Sequence, residues 1–127
     1  MTTDQAIATV TRFLRLVEER DLDGAAAYLA DGAEIVFPGG RRFTSLAEQV
    51  AASRYRNIRK QFERFDVVAE GPAAIVYVLG WLSGVDASGE RFDGVRFIDR
   101  LVLVAGRIVD HRVWNDLQER PAAPGAG

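Results

Sequence analysis

The second half of the chain decides what it can fold into. From Phe62 to Leu117 four strand-like segments follow one another: Phe62 to Glu70, Ala74 to Leu82, Phe92 to Val104 and Arg107 to Leu117. They are rich in Val, Ile, Tyr and Trp and are separated only by Gly71-Pro72, Asp86-Ala87-Ser88-Gly89 and Ala105-Gly106. Connections this short join antiparallel neighbours, because a parallel crossover needs a dozen or more residues. The first half reads differently. Ile7, Val10, Leu14 and Val17 recur at helical spacing with Phe13 beside them, and Thr3 or Asp4 can cap a helix over about 4–20. A short second helix is expected over about 22–30, and a strand from Glu34 to Phe37 ends at Pro38-Gly39-Gly40. Ser45-Leu46-Ala47-Glu48 has capping-box form and opens a third helix over roughly 45–59. Its basic end, Arg54, Arg56, Arg59 and Lys60, suits the negative pole of a helix dipole. The expected architecture is α+β, with three N-terminal helices packed in the concavity of a curved, mainly antiparallel sheet. The interior of such a cone is a natural small-molecule pocket.

At 127 residues the chain is expected to be one domain, 1–118, followed by a disordered Pro/Gly-rich tail over 119–127. Sixteen Lys and Arg against 18 Asp and Glu leave a net charge of -2, which argues against nucleic acid and against a polybasic membrane mode. The chain has no cysteine and one histidine, His111, which excludes disulfides, thiolate metal sites and a multi-histidine site within the chain. No metal or other cofactor is expected. No run approaches the ~20 apolar residues of a membrane span, and the N-terminus lacks the basic and apolar regions of a signal peptide, so the cytoplasm is the expected compartment.

Candidate chemistry sits on the last strands. Period-two alternation puts Val95, Phe97, Asp99, Leu101 and Leu103 on one face of their strand. A carboxylate among such neighbours has its charged form disfavoured, so a raised pKa is expected for Asp99, and a neutral acid there can donate to a carbonyl oxygen. The competing reading is an Asp paired with an Arg. Asp116 closes the last strand, as a proton-transfer group at the pocket mouth or as a solvated strand end. His111 carries the one side-chain type whose unperturbed pKa is near neutrality, but it lies five residues from Asp116, so a regular strand puts the two on opposite faces. Tyr77 and Trp81 share a strand face and, with Tyr55, Trp114, Phe97, Phe37 and Phe13, are the expected contacts for an apolar ligand; the alternative for these aromatics is plain core. Arg96 and Arg100 alternate with Ile98, Val102 and Val104 on the face opposite Asp99, a pattern that fits a homodimer interface through the outer sheet face.

Three segments carry a resemblance. Arg20-Asp21-Leu22-Asp23-Gly24 with Leu29-Ala30-Asp31-Gly32-Ala33, and Gly106 to Asp116, are similar to the second-helix signature and final hairpin of the nuclear-transport-factor-like cone superfamily. Over about residues 5–118 the chain resembles its SnoaL-like branch, named for polyketide cyclases. The resemblance implies an acid/base carboxylate at Asp116 and places Asp99 where ketosteroid isomerases keep a neutral acid, an arrangement that is a worked example among tuned active-site acids. It also exposes departures. Phe37 stands where those isomerases carry the base Asp, and Phe13 where they carry the oxyanion-binding Tyr; Phe can neither take nor donate a proton. The Arg and second Asp of epoxide-hydrolase-type members are absent from Tyr77 to Leu82. The expectation is a cofactor-independent cyclase- or isomerase-like enzyme acting on an apolar cyclic or polyketide-like carbonyl compound, with Asp116, Asp99 and His111 as its acid/base groups. The alternative is a non-catalytic binder of hydrophobic ligands, or a dimerisation module of the same fold.

Overall fold

The computed structural model of the chain describes residues 1–120. Helix α1 (Thr3–Glu18) opens with a capping box one residue earlier than expected: the Thr2 hydroxyl accepts the Gln5 N–H while the Gln5 side chain accepts the Thr2 N–H. Its buried stripe is Ala6, Val10, Phe13, Leu14 and Leu16. Helix α2 (Leu22–Ala26) is capped by Asp21, and α3 (Leu46–Ala52) by Ser45. The strands are β1 (Leu29–Phe37), β2 (Arg41–Phe43), β3 (Arg56–Glu70), β4 (Ala73–Val85), β5 (Arg91–Val104) and β6 (Arg107–Asn115). They form one sheet in the order β2-β1-β6-β5-β4-β3, antiparallel except for the parallel β1–β6 pair. The helices cover one face of this curved, mixed sheet, so the α+β architecture is as expected.

Three boundaries differ from the sequence expectation, each because a pairing partner captures the segment. Helix α2 stops at Ala26, since the Tyr28 carbonyl accepts the Ile108 N–H at 2.8 Å and Leu29 already lies beside β6. Helix α3 stops at Ala52, because residues from Arg56 onward pair with β4, with Lys60 opposite Leu82. Strand β2 was not expected. It folds back on β1 through Gly39 and Gly40, at φ 84° and 77°, a left-handed region that glycine enters without a Cβ clash.

Strands β3 and β4 approach very closely at one point. A Cβ on Gly80 would sit 1.9 Å from the Gln61 carbonyl oxygen and 3.1 Å from the Phe97 ring. Only glycine lets β3 cross here, and this crossing carries Lys60, the next residue along, over the concave face. Inward positions are Val76, Val78 and Leu82 on β4, and Val95, Phe97, Asp99, Leu101 and Leu103 on β5, all buried. A bulge in β6 between the Asp110 and Ile108 pairings lets Ile108 and His111 both face inward although they are three residues apart. Beyond β6, Leu117–Glu119 makes one 3-10 turn, and Arg120 pairs with Asp86 at 2.8 Å and stacks over Phe92. Of the expected tail, Glu119 ends this turn and is exposed, Arg120 is tied down by these contacts, and 121–127 lie outside the described residues. Among the described residues no helix is long and apolar enough to cross a membrane.

Candidate functional site

Asp99 is fully buried on the concave face of β5. Its Oδ2 accepts from the Lys60 ammonium at 2.5 Å and lies 3.3 Å from His111 Nε2. Burial pushes the Asp99 pKa up, but the charge of Lys60, reinforced by His111, outweighs it and holds the carboxyl below its usual range. This corrects the expectation of a raised pKa: the acid is ionised, and its partner is a lysine rather than an arginine. An ionised carboxylate only accepts, so His111 donates from Nε2, and in the neutral ring Nδ1 is left as an acceptor. That Nδ1, and Asp99 Oδ1, are buried with no hydrogen-bond partner among the described residues. The Lys60 ammonium also stands 5.0 Å from the centroid of Phe97, and the Phe13 ring meets His111 edge-on at 5.7 Å.

The backbone of Lys60 is held from both sides. Its N–H donates to Glu18 Oε1 at 2.6 Å and its carbonyl accepts from Arg15 at 2.9 Å. Arg15 and Glu18 also pair with each other at 2.9 Å. The last turns of α1 thus pin the point at which β3 delivers its lysine.

Lys60 and His111 face a cavity of about 120 Å³ enclosed by α1, α3 and the sheet. A single water needs only about 10–15 Å³ of such space, so the cavity has room for a small organic molecule. Phe13, Phe37, Tyr55, Ile58 and Leu82 supply most of its apolar wall. It continues into a vestibule that shares Phe37, Gln49, Ser53, Tyr55, Asn115 and Leu117 with it.

Of the residues singled out from the sequence, His111, Phe13, Phe37 and Tyr55 line the cavity, and Asp99 lies behind it with Lys60 and His111. Phe97 faces inward but is buried under the Lys60 ammonium, outside the lining. Tyr77, Trp81 and Trp114 are not cavity residues. The inward register of β4 runs through Val76, Val78 and Leu82, so Tyr77 and Trp81 fall on the outer face, where Tyr77 accepts from Arg100 at 3.3 Å. Trp114 is half exposed beside Arg96 and Ile98. Asp116 lies on that outer side as well, its carboxylate 2.6 Å from Arg96 Nε, and is not brought to the cavity.

Sequence reasoning missed Lys60, which it read as part of a basic helix end. The signal was present: Ile58, Lys60 and Phe62 alternate at strand spacing, and a lysine between two inward apolar residues stands out once the segment is taken as β3. Among the described residues no group of three or more carboxylate or imidazole side chains is placed to hold a metal ion.

The model of the SnoaL-like domain family matches residues 10–111. The chain belongs to the SnoaL-like domain family. Solved structures share the family's fold at low identity. An NTF2-like protein of unknown function from Burkholderia pseudomallei is 21% identical over 94% of this chain and 95% of its own, with a TM-score of 0.74. A candidate SnoaL-like polyketide cyclase from Jannaschia sp. CCS1 is 20% identical over 91% and 88%, with a TM-score of 0.68. The CaMKII hub of S. rosetta is 18% identical over 88% and 95%, with a TM-score of 0.73. No curated protein sequence matches the chain. The same fold therefore occurs in a candidate polyketide cyclase and in a CaMKII hub, and only the site can argue for chemistry.

Proposed function

We propose that this SnoaL-like domain is a cofactor-independent acid/base enzyme of cyclase or isomerase type, acting on an apolar cyclic or polyketide-like carbonyl compound. The observation that carries the reading is the Lys60–Asp99–His111 array: one buried carboxylate, held ionised, shared by an ammonium and an imidazole that both face an apolar cavity. In this scheme His111 Nδ1, buried and unpartnered without substrate, is uncovered as the substrate enters and takes a proton from the carbon beside the substrate carbonyl. Asp99 orients the imidazole and stabilises the imidazolium that forms. Lys60 uses one N–H on Asp99 and has two more to donate to the developing enolate oxygen. Charge stays balanced, since each new imidazolium is matched by an enolate. A conjugated enolate then takes the proton back from His111 at a different carbon, or the enolate carbon attacks a second carbonyl of the same molecule, with His111 returning the proton to the new alkoxide. Asp116 has no part in this scheme, because Arg96 engages it on the far side of the sheet.

The test is hydrogen–deuterium exchange at the α-carbon of β-tetralone in heavy water. We expect exchange well above the buffer rate, falling about 10²–10⁴-fold in His111→Gln and unchanged in Asp116→Asn. Exchange that survives His111→Gln would overturn the scheme. Tight binding of β-tetralone with no exchange at any pH would instead support a non-catalytic binder, the reading favoured by phenylalanines at positions 13 and 37.

The proposal includes a homodimer through the outer sheet face. Trp114 is 50% exposed and Ile98 40%, and Leu79 and Trp81 adjoin them. Such a patch, rimmed by Arg96 and Asp116, has the make-up of a protein interface.

A further inference from the structure

The way into the cavity is positively charged, although the chain as a whole carries a net charge of -2. Among the described residues the vestibule has Arg41 and Arg54 as its only charged residues. Both are exposed, and neither forms an ion pair or side-chain hydrogen bond among the described residues, whereas adjacent Arg42 is paired with Glu34. Arg20 lies at the exposed rim of the inner cavity, and Lys60, which also lines it, is already paired with Asp99. The carboxylate there, Glu18, is already taken by Arg15 and by the backbone of Lys60. A vestibule lined by one sign of charge beside low-dielectric walls concentrates ligands of the opposite sign. Where the two chambers meet, Gln49 lines both, and its Oε1 is buried with no donor among the described residues. A buried acceptor left without a donor costs free energy that a ligand hydroxyl would recover.

We infer that the substrate is an amphipathic acid. Its apolar ring body, bearing the reacting carbonyl, fills the cavity toward Lys60, and a carboxylate at its outer end rests on Arg41 and Arg54 in the vestibule. This rests on the reading of the cavity as a carbonyl site and adds a second point of recognition to it. Two arginines held apart from any protein carboxylate provide forked donors that match a carboxylate in geometry as well as charge.

The test is calorimetric binding of an acetylnaphthoate, with acetyl and carboxylate groups at opposite ends, against its neutral methyl ester. The acid should bind about five- to tenfold more tightly at low salt, as expected for two solvent-facing ion pairs. The preference should shrink at about 0.5 M salt, where screening is strong. It should vanish in the Arg41→Gln/Arg54→Gln double variant, with ester binding unchanged as the control for folding. Equal affinity for acid and ester, no measurable binding of either, or a preference that survives the double variant would overturn the inference. Binding is read without turnover, so a preference that persists in His111→Gln would stand even if the acid/base scheme failed.

Discussion

Asp99 and Asp116 are the same side chain, each 2.5–2.6 Å from a cation, on opposite faces of one sheet. Asp99 is fully buried on the concave face, between Lys60 and His111, with Val78 and Val113 opposite it on the neighbouring strands. Asp116 is 39% exposed and faces an Arg96 side chain that is 81% exposed. The contact distances are nearly equal, but the consequences are not. In water an ion pair is screened and close to neutral in free energy. In the interior, removing one partner strands a charge that nothing else can solvate. The inner pair therefore couples protonation, packing and position, which proton-transfer chemistry requires, whereas the outer pair only decorates a strand end.

The comparison is broken most severely by Lys60→Met. It leaves Asp99 buried without its main counter-charge, and we expect a loss of about 3–5 kcal/mol at neutral pH, measured by urea unfolding. The pH dependence should also invert. In the wild type the Asp99 pKa lies below its unfolded value of about 3.9, so its contribution is complete above that pH and is lost as pH falls through the lower folded value. Without Lys60, burial dominates, the folded pKa rises above the unfolded one, and the variant should gain stability as pH is lowered toward 4. A variant that loses stability on acidification as the wild type does would show that Lys60 is not what holds Asp99 ionised.

Gly80→Ala attacks the same site through the backbone. Its Cβ cannot coexist with the Gln61 carbonyl, so β3 must retreat from β4, at a cost of about 1–3 kcal/mol in unfolding free energy. The deuterium exchange catalysed by the site should fall as well, because Lys60 moves with Gln61. On the outer face, Trp114→Glu should abolish the proposed dimer, leaving monomer in sedimentation velocity, with unfolding of the isolated subunit little changed. Asp116→Asn should do least: about 0–1 kcal/mol of stability, fading with added salt. If Asp116→Asn matched Lys60→Met in cost, the distinction between the two faces would fail.

The sequence disclosed one side of the site and not the other. Alternation along β5 was strict enough to place Phe97 and Asp99 inward and Arg96, Ile98 and Arg100 outward, and the structure agrees. The inward turn of His111 needed the β6 bulge, which no residue pattern announces. Tyr77 and Trp81 look like a ligand wall because they are aromatics at alternate positions; the small and aliphatic residues that alternate with them, Val76, Val78, Gly80 and Leu82, in fact form the inner face. Lys60 was hidden by a boundary. A segment with Arg54, Arg56, Arg59 and Lys60 reads as a helix end, and only the pairing with β4, made possible by Gly80, turns it into a strand. The raised pKa expected for Asp99 failed for the same reason, since its counter-charge is 39 residues away in the chain.

The most direct test of the central claim uses the fact that the chain has one histidine. Nitrogen-15 NMR of the His111 ring, followed to the alkaline end of its titration, reports which nitrogen carries the proton in the neutral form. An ionised Asp99 shared with Lys60 requires the proton on Nε2 and leaves Nδ1 bare, and Asp99→Asn should disturb that tautomer. A neutral ring protonated at Nδ1, with no response to Asp99→Asn, would contradict the array on which the proposed chemistry depends.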